Sequence, residues 1–372
     1  MTGATALATA LVSLAGLLLV LALVTASQRA LRQRRNRLRA RAAEPVRPAL
    51  IRLVAGEASD VSAAVDTLAG LDDRTWAAVE PSLEGLLLKV RGDSHAAVVA
   101  VLERRGSLAR ALARTRSRSP VARAHGAEVL GAAGRYAAVH DLLRLLDDDD
   151  EEVRRVAARA LGRIRSTAAA VPLLEAVSSR RSVPPRIVTL ALLRIGVGAH
   201  PAVVATLRDG DALQRAIAAE IAGLSGAASA VESLMDALQN DPETEVRVRC
   251  ARALGRIGMP WVTGHLIAAT AEGQPMSLRV VASRALGDIG SVDAVPRLTE
   301  LVTDVHHRVA ANAASSLLRS GRGGLEALHR VAQQEDGAHA REALALARLR
   351  GVDRPADPAA ADPADAVLGA VG

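Results

Sequence analysis

Arginine is the residue type through which this sequence could do chemistry. All but one of its 47 basic residues are arginines, and five of them fall within residues 151–165, EEVRRVAARALGRIR. A guanidinium group is always charged and carries five N–H donors, so it can bind a carboxylate or a phosphate through two parallel hydrogen bonds. Such a cluster has three uses to weigh: binding a small ligand, binding nucleic acid or lipid, or stabilising a fold.

The other reactive residue types form no recognisable catalytic or metal-binding pattern. Nine histidines are scattered along the chain without an H-E-x-x-H motif, and the single cysteine, Cys250, occupies an apolar helix position. The acidic run at 147–152, DDDDEE, lacks the glycine and the spaced ligands of a calcium loop. Acids recur in the other loops, which is typical of carboxylates that cap helices. We predict no enzyme activity, no cofactor and no metal site.

The composition favours closely packed helices over a ring-lined site. Half of the residues are apolar, but there is no phenylalanine, and the aromatic residues are only Trp76, Trp261 and Tyr136. Burial must therefore come from aliphatic side chains and alanine. Base stacking needs ring faces that this sequence lacks, so a nucleic-acid partner is disfavoured. The preference for arginine over lysine, with abundant alanine and glycine, suggests a bacterial source with a GC-rich genome.

The first residues predict a membrane anchor. Residues 4–26 are uncharged and mainly apolar, and a helix of that length spans a hydrocarbon core of roughly 30 Å. A cleaved signal peptide is the alternative, but no basic residue precedes the apolar run. Residues 27–48 hold eight arginines against Glu44, and the positive-inside rule places such a segment in the cytoplasm. We predict a single-pass protein of the bacterial inner membrane, with the N-terminus outside and the rest in the cytoplasm.

The same basic segment could contact the membrane surface. Juxtamembrane arginines are attracted to anionic lipid head groups by about 1 kcal/mol each, although a stop-transfer signal alone would need the same residues. We predict contact with anionic lipid by seven of them: Arg29, Arg32, Arg34, Arg35, Arg37, Arg39 and Arg41.

A repeat of about 31 residues organises the rest of the chain. The piece ALGRIR at 160–165 recurs as ALGRIG at 253–258 and ALGDIG at 285–290, and eight such copies end at positions spaced by 30 to 32 residues between 134 and 351. Each copy contains a first helix, a polar acidic loop, and a second helix with one apolar face. A terminal glycine ends most copies, as expected of a helix stop. Neither helix can bury its face alone, so neighbouring copies must stack.

The recurring pattern A-V-P-x-L, an acidic loop, then V-R-x-x-A-x-x-A-L-G resembles the bacterial HEAT-like repeat family, including the variety found in phycobilin lyases. The resemblance covers residues 121–351 and implies an all-α fold, an α-solenoid in which helical pairs stack into a superhelix. Residues 49–120 read as divergent helical repeats of the same kind. Residues 352–372 form an acidic tail rich in Pro and Ala, which we predict to be disordered.

Two sets of arginines are singled out by this alignment. One set lies eleven residues before the end of a copy, and the resemblance implies that it pairs with acidic and backbone groups of the adjoining repeat as a structural ladder: Arg123, Arg154, Arg215, Arg247 and Arg279. The other set, spaced by four residues on one helix, is either a solvated face or a surface for an acidic partner: Arg155, Arg159 and Arg163.

Together these features predict a membrane-anchored scaffold or adaptor that binds another protein, itself membrane-associated, at the cytoplasmic face. The resemblance leaves two alternatives: a phycobilin-lyase-like enzyme subunit and a nucleic-acid-binding HEAT protein. Deoxyhypusine hydroxylases, which are built on similar repeats, bind two irons through His-Glu pairs, and no such pair occurs in this sequence. The identity of the partner and the oligomeric state are left open.

Overall fold

The computed structural model describes residues 44–349, together with residues 16, 19–21, 23–27 and 29. Over these ranges the regular elements are all helical, with no strand, so the prediction of an all-α fold is confirmed. The described chain forms two compact units that divide between Ala138 and Val139.

Six α-helices of the first unit are bounded in the structure. They are α1 (Arg47–Ala55), α2 (Ala58–Ala69), α3 (Asp73–Leu86), α4 (Gly92–Arg104), α5 (Ser107–Arg114) and α6 (Pro120–Ala132). Short 3-10 turns at Glu44–Val46 and Tyr136–Ala138 flank them. Helices α2 and α4 pack side by side, as do α5 and α6. Trp76 is buried in this unit, and the guanidinium carbon of Arg105 lies 5.0 Å from the centre of its ring.

The second unit contains the helical pairs of seven of the eight copies, and the pair of the copy that ends at 134, α5 and α6, lies in the first unit. Its α-helices are α7 (Val139–Arg144), α8 (Glu151–Ile164), α9 (Ala170–Glu175), α10 (Pro185–Ile195), α11 (His200–Asp209), α12 (Ala212–Ser225), α13 (Val231–Asn240), α14 (Thr244–Ile257), α15 (Thr263–Ala268), α16 (Met276–Ile289), α17 (Val295–Leu301), α18 (His307–Leu317), α19 (Gly321–Ala332) and α20 (Ala338–Leu349). The 3-10 turns are Leu145–Asp147, Thr167–Ala169, Gly196–Ala199, Ala228–Ala230, Pro260–Val262 and Val292–Ala294.

These helices pack in two layers. Each second helix contacts the second helix of the next copy, in the series α8, α10, α12, α14, α16, α18 and α20. The first helices α9, α11, α13 and α15 contact one another in the same way. This is the arrangement of an α-solenoid, in which each copy completes the core of its neighbour.

Helix α8 shows why the sequence folds this way locally. Asp150 caps its N-terminus, because its carboxylate accepts a hydrogen bond of 3.1 Å from the backbone N–H of Val153. The helical period predicts an apolar face of six residues, of which Ile164 is half-buried and the other five are buried: Val153, Val156, Ala157, Ala160 and Leu161. The helix ends at Arg165, which takes the left-handed conformation at φ +58°, where the later copies have Gly226, Gly258 and Gly290.

A second glycine in four of the copies has a role that the sequence did not reveal. The sequence predicts the glycines of the repeat to be helix stops, but Gly162, Gly223, Gly255 and Gly287 lie inside their second helices. Each lies against a small residue of the next second helix; a Cβ added at Gly255 would be 2.7 Å from the Cβ of Ala285. The corresponding neighbours of the other three glycines are Ala191, Ala253 and Ser316. These glycines therefore allow two helix backbones to approach closely.

The predicted membrane anchor at 4–26 lies mostly outside the described residues. Those described within it are helical, with exposed leucine and valine side chains such as Leu19 and Leu23. Among the described residues one stretch, Pro185–Asp209, is long and apolar enough to cross a membrane. It consists of α10 and α11, interrupted at Gly196 with φ +77°, and its buried residues include Leu192 and Val203. Two helices of the array thus produce that length.

Two further predictions fall outside the described residues. Of the seven juxtamembrane arginines only Arg29 is described, as an exposed helical residue. The acidic tail at 352–372 is likewise not described. Contact of the arginines with lipid and disorder of the tail stay predictions.

Candidate functional site

The ladder arginines all sit in the second turn of a second helix and donate hydrogen bonds to nearby carbonyl oxygens. Four of these oxygens belong to the segment that joins the first helix of the same copy to the second, and the fifth, that of Leu238, lies in the last turn of α13. The bonds are Arg123 to Ser117 at 3.0 Å, Arg154 to Asp148 at 2.7 Å, Arg215 to Gly210 at 2.8 Å, Arg247 to Leu238 at 3.0 Å and Arg279 to Thr270 at 3.1 Å. Each arginine thus satisfies backbone acceptors at its own inter-helix turn.

In the second unit the same arginines also reach the following copy. Arg215 donates to both carboxylate oxygens of Asp241, at 2.6 Å from Nε and at 3.0 Å from Nη2. Arg279 donates to the carboxylate of Asp304. Arg247 donates to the side-chain oxygen of Gln274 at 2.5 Å, and Arg154 to the Ser182 carbonyl at 3.4 Å. Each of these four contacts joins one copy to the next, and all four lie at one edge of the array.

Two of these contacts are buried ion pairs. The side chains of Arg279 and Asp304 are 4% and 8% exposed, and those of Arg215 and Asp241 are 17% and 4% exposed. The hydrogen bond to Asp241 raises the pKa of Arg215. Burial by itself raises the pKa of Asp304, but hydrogen bonds from the backbone N–H of His306 and from Arg279 outweigh it, so that pKa is lowered.

Three copies lack an arginine at this slot, where they have Pro185, Ala310 and Ala340. In the last of these copies the residue after Ala340 makes the equivalent hydrogen bonds. Arg341 donates to the carbonyl oxygens of Ala332 and Gln334 at 3.0 and 2.9 Å. The loop contact is thus reproduced from an adjacent position of the helix.

The acidic run at 147–152 is occupied by protein contacts. Arg181 from the following copy binds Asp149 at 2.6 Å and lies 3.6 Å from Asp147. Asp150 caps α8, and Asp148 accepts a hydrogen bond from the backbone of Asp150. Among the described residues no group of three or more histidine, cysteine or acidic side chains is arranged to hold a metal. Cys250 is fully buried, and burial raises the pKa of its thiol to about 12.

The predicted partner surface at Arg155, Arg159 and Arg163 is largely engaged within its own helix. Arg155 lies 3.7 Å from Glu151 and 3.4 Å from Glu152, and Arg159 binds Glu152 at 2.8 Å. Arg163 also has an interaction partner. The side chains of Arg155 and Arg159 are 40% and 41% exposed. These arginines are solvated, but their charges are balanced locally.

The structure brings together a different set of arginines that the sequence reading did not single out. Arg252 and Arg256 on α14, Arg284 on α16 and Arg308 on α18 line one groove of about 400 Å³. All four are exposed. A signal for three of them was present: Arg252 and Arg284 lie six residues before the end of their copies, as Arg159 does, and Arg256 lies two residues before, as Arg163 does. Aligning every arginine of α8, not only Arg154, would have found them.

Comparison with known proteins identifies the repeats. A model described as HEAT repeats matches residues 108–192 and 201–275, and one described as PBS lyase HEAT-like repeat matches residues 278–304. A HEAT repeat-containing taxis protein of Halobacterium salinarum is 31% identical over 164 residues, which are 44% of this chain and 37% of that protein. The chain thus spans little more than a third of that relative's length.

Solved structures with similar folds have low identity. The CpcE–CpcF complex of phycocyanin lyase from Nostoc aligns with a TM-score of 0.31 at 22% identity, covering 64% of this chain and 94% of that one. Human deoxyhypusine hydroxylase gives 0.30 at 18%, covering 70% and 96%. Kap95p, bound to RanGDP, gives 0.44 at 12%, covering 88% and 56%. These likenesses concern the helical fold alone.

Proposed function

Because this chain is a HEAT-repeat protein, as its recurring copies predict, we propose that it acts as a scaffold or adaptor that binds another protein at the cytoplasmic face of the membrane. The observation that carries this proposal is the row of second helices in the second unit. Each one packs sideways on the next, which leaves exposed positions in register along the row. Repeat arrays use such extended surfaces to bind partners.

The relative in Halobacterium salinarum suggests one setting for this binding. By its name that relative is a taxis protein with HEAT repeats. A role in taxis is therefore a candidate for this chain as well, with a membrane-associated protein as the partner.

The membrane part of the proposal rests on the sequence. Residues 4–26 supply the anchor, and the arginines at positions 29–41 lie against anionic lipid. An anchor confines the array to the membrane surface, which raises its effective concentration toward other proteins of that membrane.

Membrane attachment is tested with a fluorescent protein fused after Gly372. We expect fluorescence at the cell membrane, and resistance of the full chain to alkaline extraction. Replacing Gly16 and Val20 together by arginine should release the chain, since a charged residue near the centre of a span costs about 3 kcal/mol. The matched control replaces the same two residues by leucine. Release of the unaltered chain, or a C-terminus outside the cytoplasm, refutes the anchor.

Partner binding is tested by crosslinking the full chain in intact membranes and identifying the bound proteins by mass spectrometry. We expect one protein or complex to be recovered in a fixed ratio to the chain. The leucine control should recover it and the double arginine variant should not. Recovery of the same protein by both variants would show that the anchor is not needed for the interaction.

A further inference from the structure

The basic groove of the second unit differs from every other arginine set described above. Its arginines come from the second helices of three successive copies, α14, α16 and α18. We call it the α14–α18 groove and define it by Arg252, Arg256, Arg284 and Arg308. An amide, that of Asn312, and one carboxylate, that of Asp288, also line it.

These arginines lack the partners that the ladder and α8 arginines have. Within residues 44–349 the guanidinium groups of Arg252, Arg256 and Arg308 make no hydrogen bond and no ion pair. Arg284 lies 3.9 Å from Asp288, and that carboxylate is also 3.4 Å from Arg319. Four cations thus share a concave surface with one acid that a fifth cation already approaches.

An excess of like charge in one groove favours an anionic ligand. The screening length at physiological salt is about 8 Å, which is comparable with the spacing of the groove arginines, so their fields overlap. A ligand that brings carboxylates or phosphates would relieve the mutual repulsion, and each guanidinium can offer two parallel donors to it. The groove is therefore built for an anion with several charges.

The remaining lining groups favour a peptide over a nucleic acid. Val280, Val281 and Ala285 supply an apolar surface between the arginines, and no aromatic side chain lines the groove. The amide nitrogen of Asn312 donates to the Arg308 carbonyl at 2.7 Å, which leaves its side-chain oxygen to accept a hydrogen bond from a peptide N–H. We infer that the α14–α18 groove binds an acidic, extended segment of the partner protein.

The spacing of the arginines indicates the spacing of the acids. Arg252 and Arg256 are one helical turn apart, or about 6 Å, and neighbouring helices lie about 8 to 10 Å apart. An extended peptide advances about 3.3 Å per residue. A carboxylate at every second or third position would therefore meet successive arginines. This inference rests on the proposed role as a protein-binding scaffold and specifies the chemistry of the partner.

The test measures binding of a short fluorescein-labelled peptide, with glutamate at every second position and valine or serine between, to the full chain in non-ionic detergent. Fluorescence anisotropy at physiological salt gives the Kd. The same peptide with glutamine in place of glutamate is the ligand control and should bind at least about tenfold more weakly. The triple variant Arg252→Gln, Arg256→Gln, Arg284→Gln should weaken binding of the glutamate peptide by at least about tenfold.

A second triple variant removes the same charge elsewhere on the array. Arg155→Gln, Arg159→Gln, Arg163→Gln should change the Kd by less than about twofold, because Arg155 and Arg159 are already paired with glutamates. An equal loss in both triple variants would overturn the inference, since it would mean attraction to net charge alone. Thermal unfolding of the groove variant should nearly match that of the unaltered chain, because Arg252 and Arg256 make no hydrogen bond or ion pair and Arg284 makes only an exposed contact with Asp288.

Two results of the peptide binding measurements also overturn the inference. One is failure of the glutamate peptide to bind. The other is its displacement at physiological salt by oligo-dT or by phosphatidylglycerol vesicles at lower concentration, which would assign the groove to phosphate. If the groove triple variant still recovers the crosslinked membrane partner undiminished, this inference is wrong and the scaffold proposal stands. If the unaltered chain recovers no partner, the scaffold proposal itself fails.

Discussion

The second helices carry arginines at two kinds of position, and the two sets differ in burial and in hydrogen-bonding partners. At the loop edge, Arg215 and Arg279 are nearly buried, and each binds a backbone carbonyl and a carboxylate of the next copy. In the α14–α18 groove, Arg252 and Arg256 are exposed and make no ion pair within the described part of the chain. A recurring arginine therefore says little by itself; its neighbours decide whether it stabilises the fold or is available to a ligand.

The largest effect is expected from the removal of a ladder arginine. Arg279→Met leaves the carboxylate of Asp304 buried without its partner, which should cost about 3 to 5 kcal/mol in free energy of unfolding. Urea denaturation of the full chain, followed by circular dichroism, measures it. The double variant Arg279→Met, Asp304→Leu should recover most of the loss, because no buried charge remains. A loss below about 1 kcal/mol in the single variant would contradict a structural role.

The spacing of the copies should depend on the glycine contacts as well as on the ladder. Gly255→Ala places a methyl group 2.7 Å from the Cβ of Ala285 on the neighbouring helix, so the two backbones must separate. We expect a loss of about 1 to 3 kcal/mol in free energy of unfolding. Gly264→Ala is the matched control, since a Cβ there meets nothing within 4 Å and should stabilise by up to about 1 kcal/mol. Equal effects of the two substitutions would refute the close approach.

Arg165 belongs to neither set, and its replacement should stabilise the protein. Arg165 ends α8 in the left-handed conformation that costs a side-chain residue roughly 1 kcal/mol, whereas the later copies have glycine there. Arg165→Gly should therefore raise the melting temperature, as measured by circular dichroism. A lowered melting temperature would mean that the Arg165 side chain contributes more than its backbone strain costs.

The smallest effect is expected on the exposed face of α8. Arg155→Gln and Arg159→Gln each remove a solvent-exposed contact with Glu152, and such pairs contribute about 0.2 to 1 kcal/mol. Denaturation at low and high salt measures it, and the difference from the unaltered chain should shrink at high salt. A loss as large as that of Arg279→Met would contradict the conclusion that these exposed contacts on α8 contribute little to stability.

The fold was largely predictable because its signals repeat. The apolar period of α8 predicted its buried face from Val153 to Leu161, and the regular end positions predicted stacked pairs. The resemblance implied acidic and backbone partners for the ladder arginines, but not which residues these are, since Asp304 and Gln274 are different residue types that only the stacking brings near Arg279 and Arg247. The α14–α18 groove was missed for a different reason: Arg252, Arg284 and Arg256 recur at the slots of Arg159 and Arg163, but that recurrence is seen only when every arginine of the copies is aligned.

The close contact between glycine and a small residue has an evolutionary consequence. In the copy ending at Gly258, Gly255 fits against Ala285 of the copy after it, and Ala253 receives Gly223 of the copy before it. One copy thus contains both the glycine and the small residue of this contact. A tandem duplication of residues 227–258 would therefore add a copy that can make the contact with its neighbours on both sides. At this contact between second helices, an array lengthened by whole copies would need no compensating substitution.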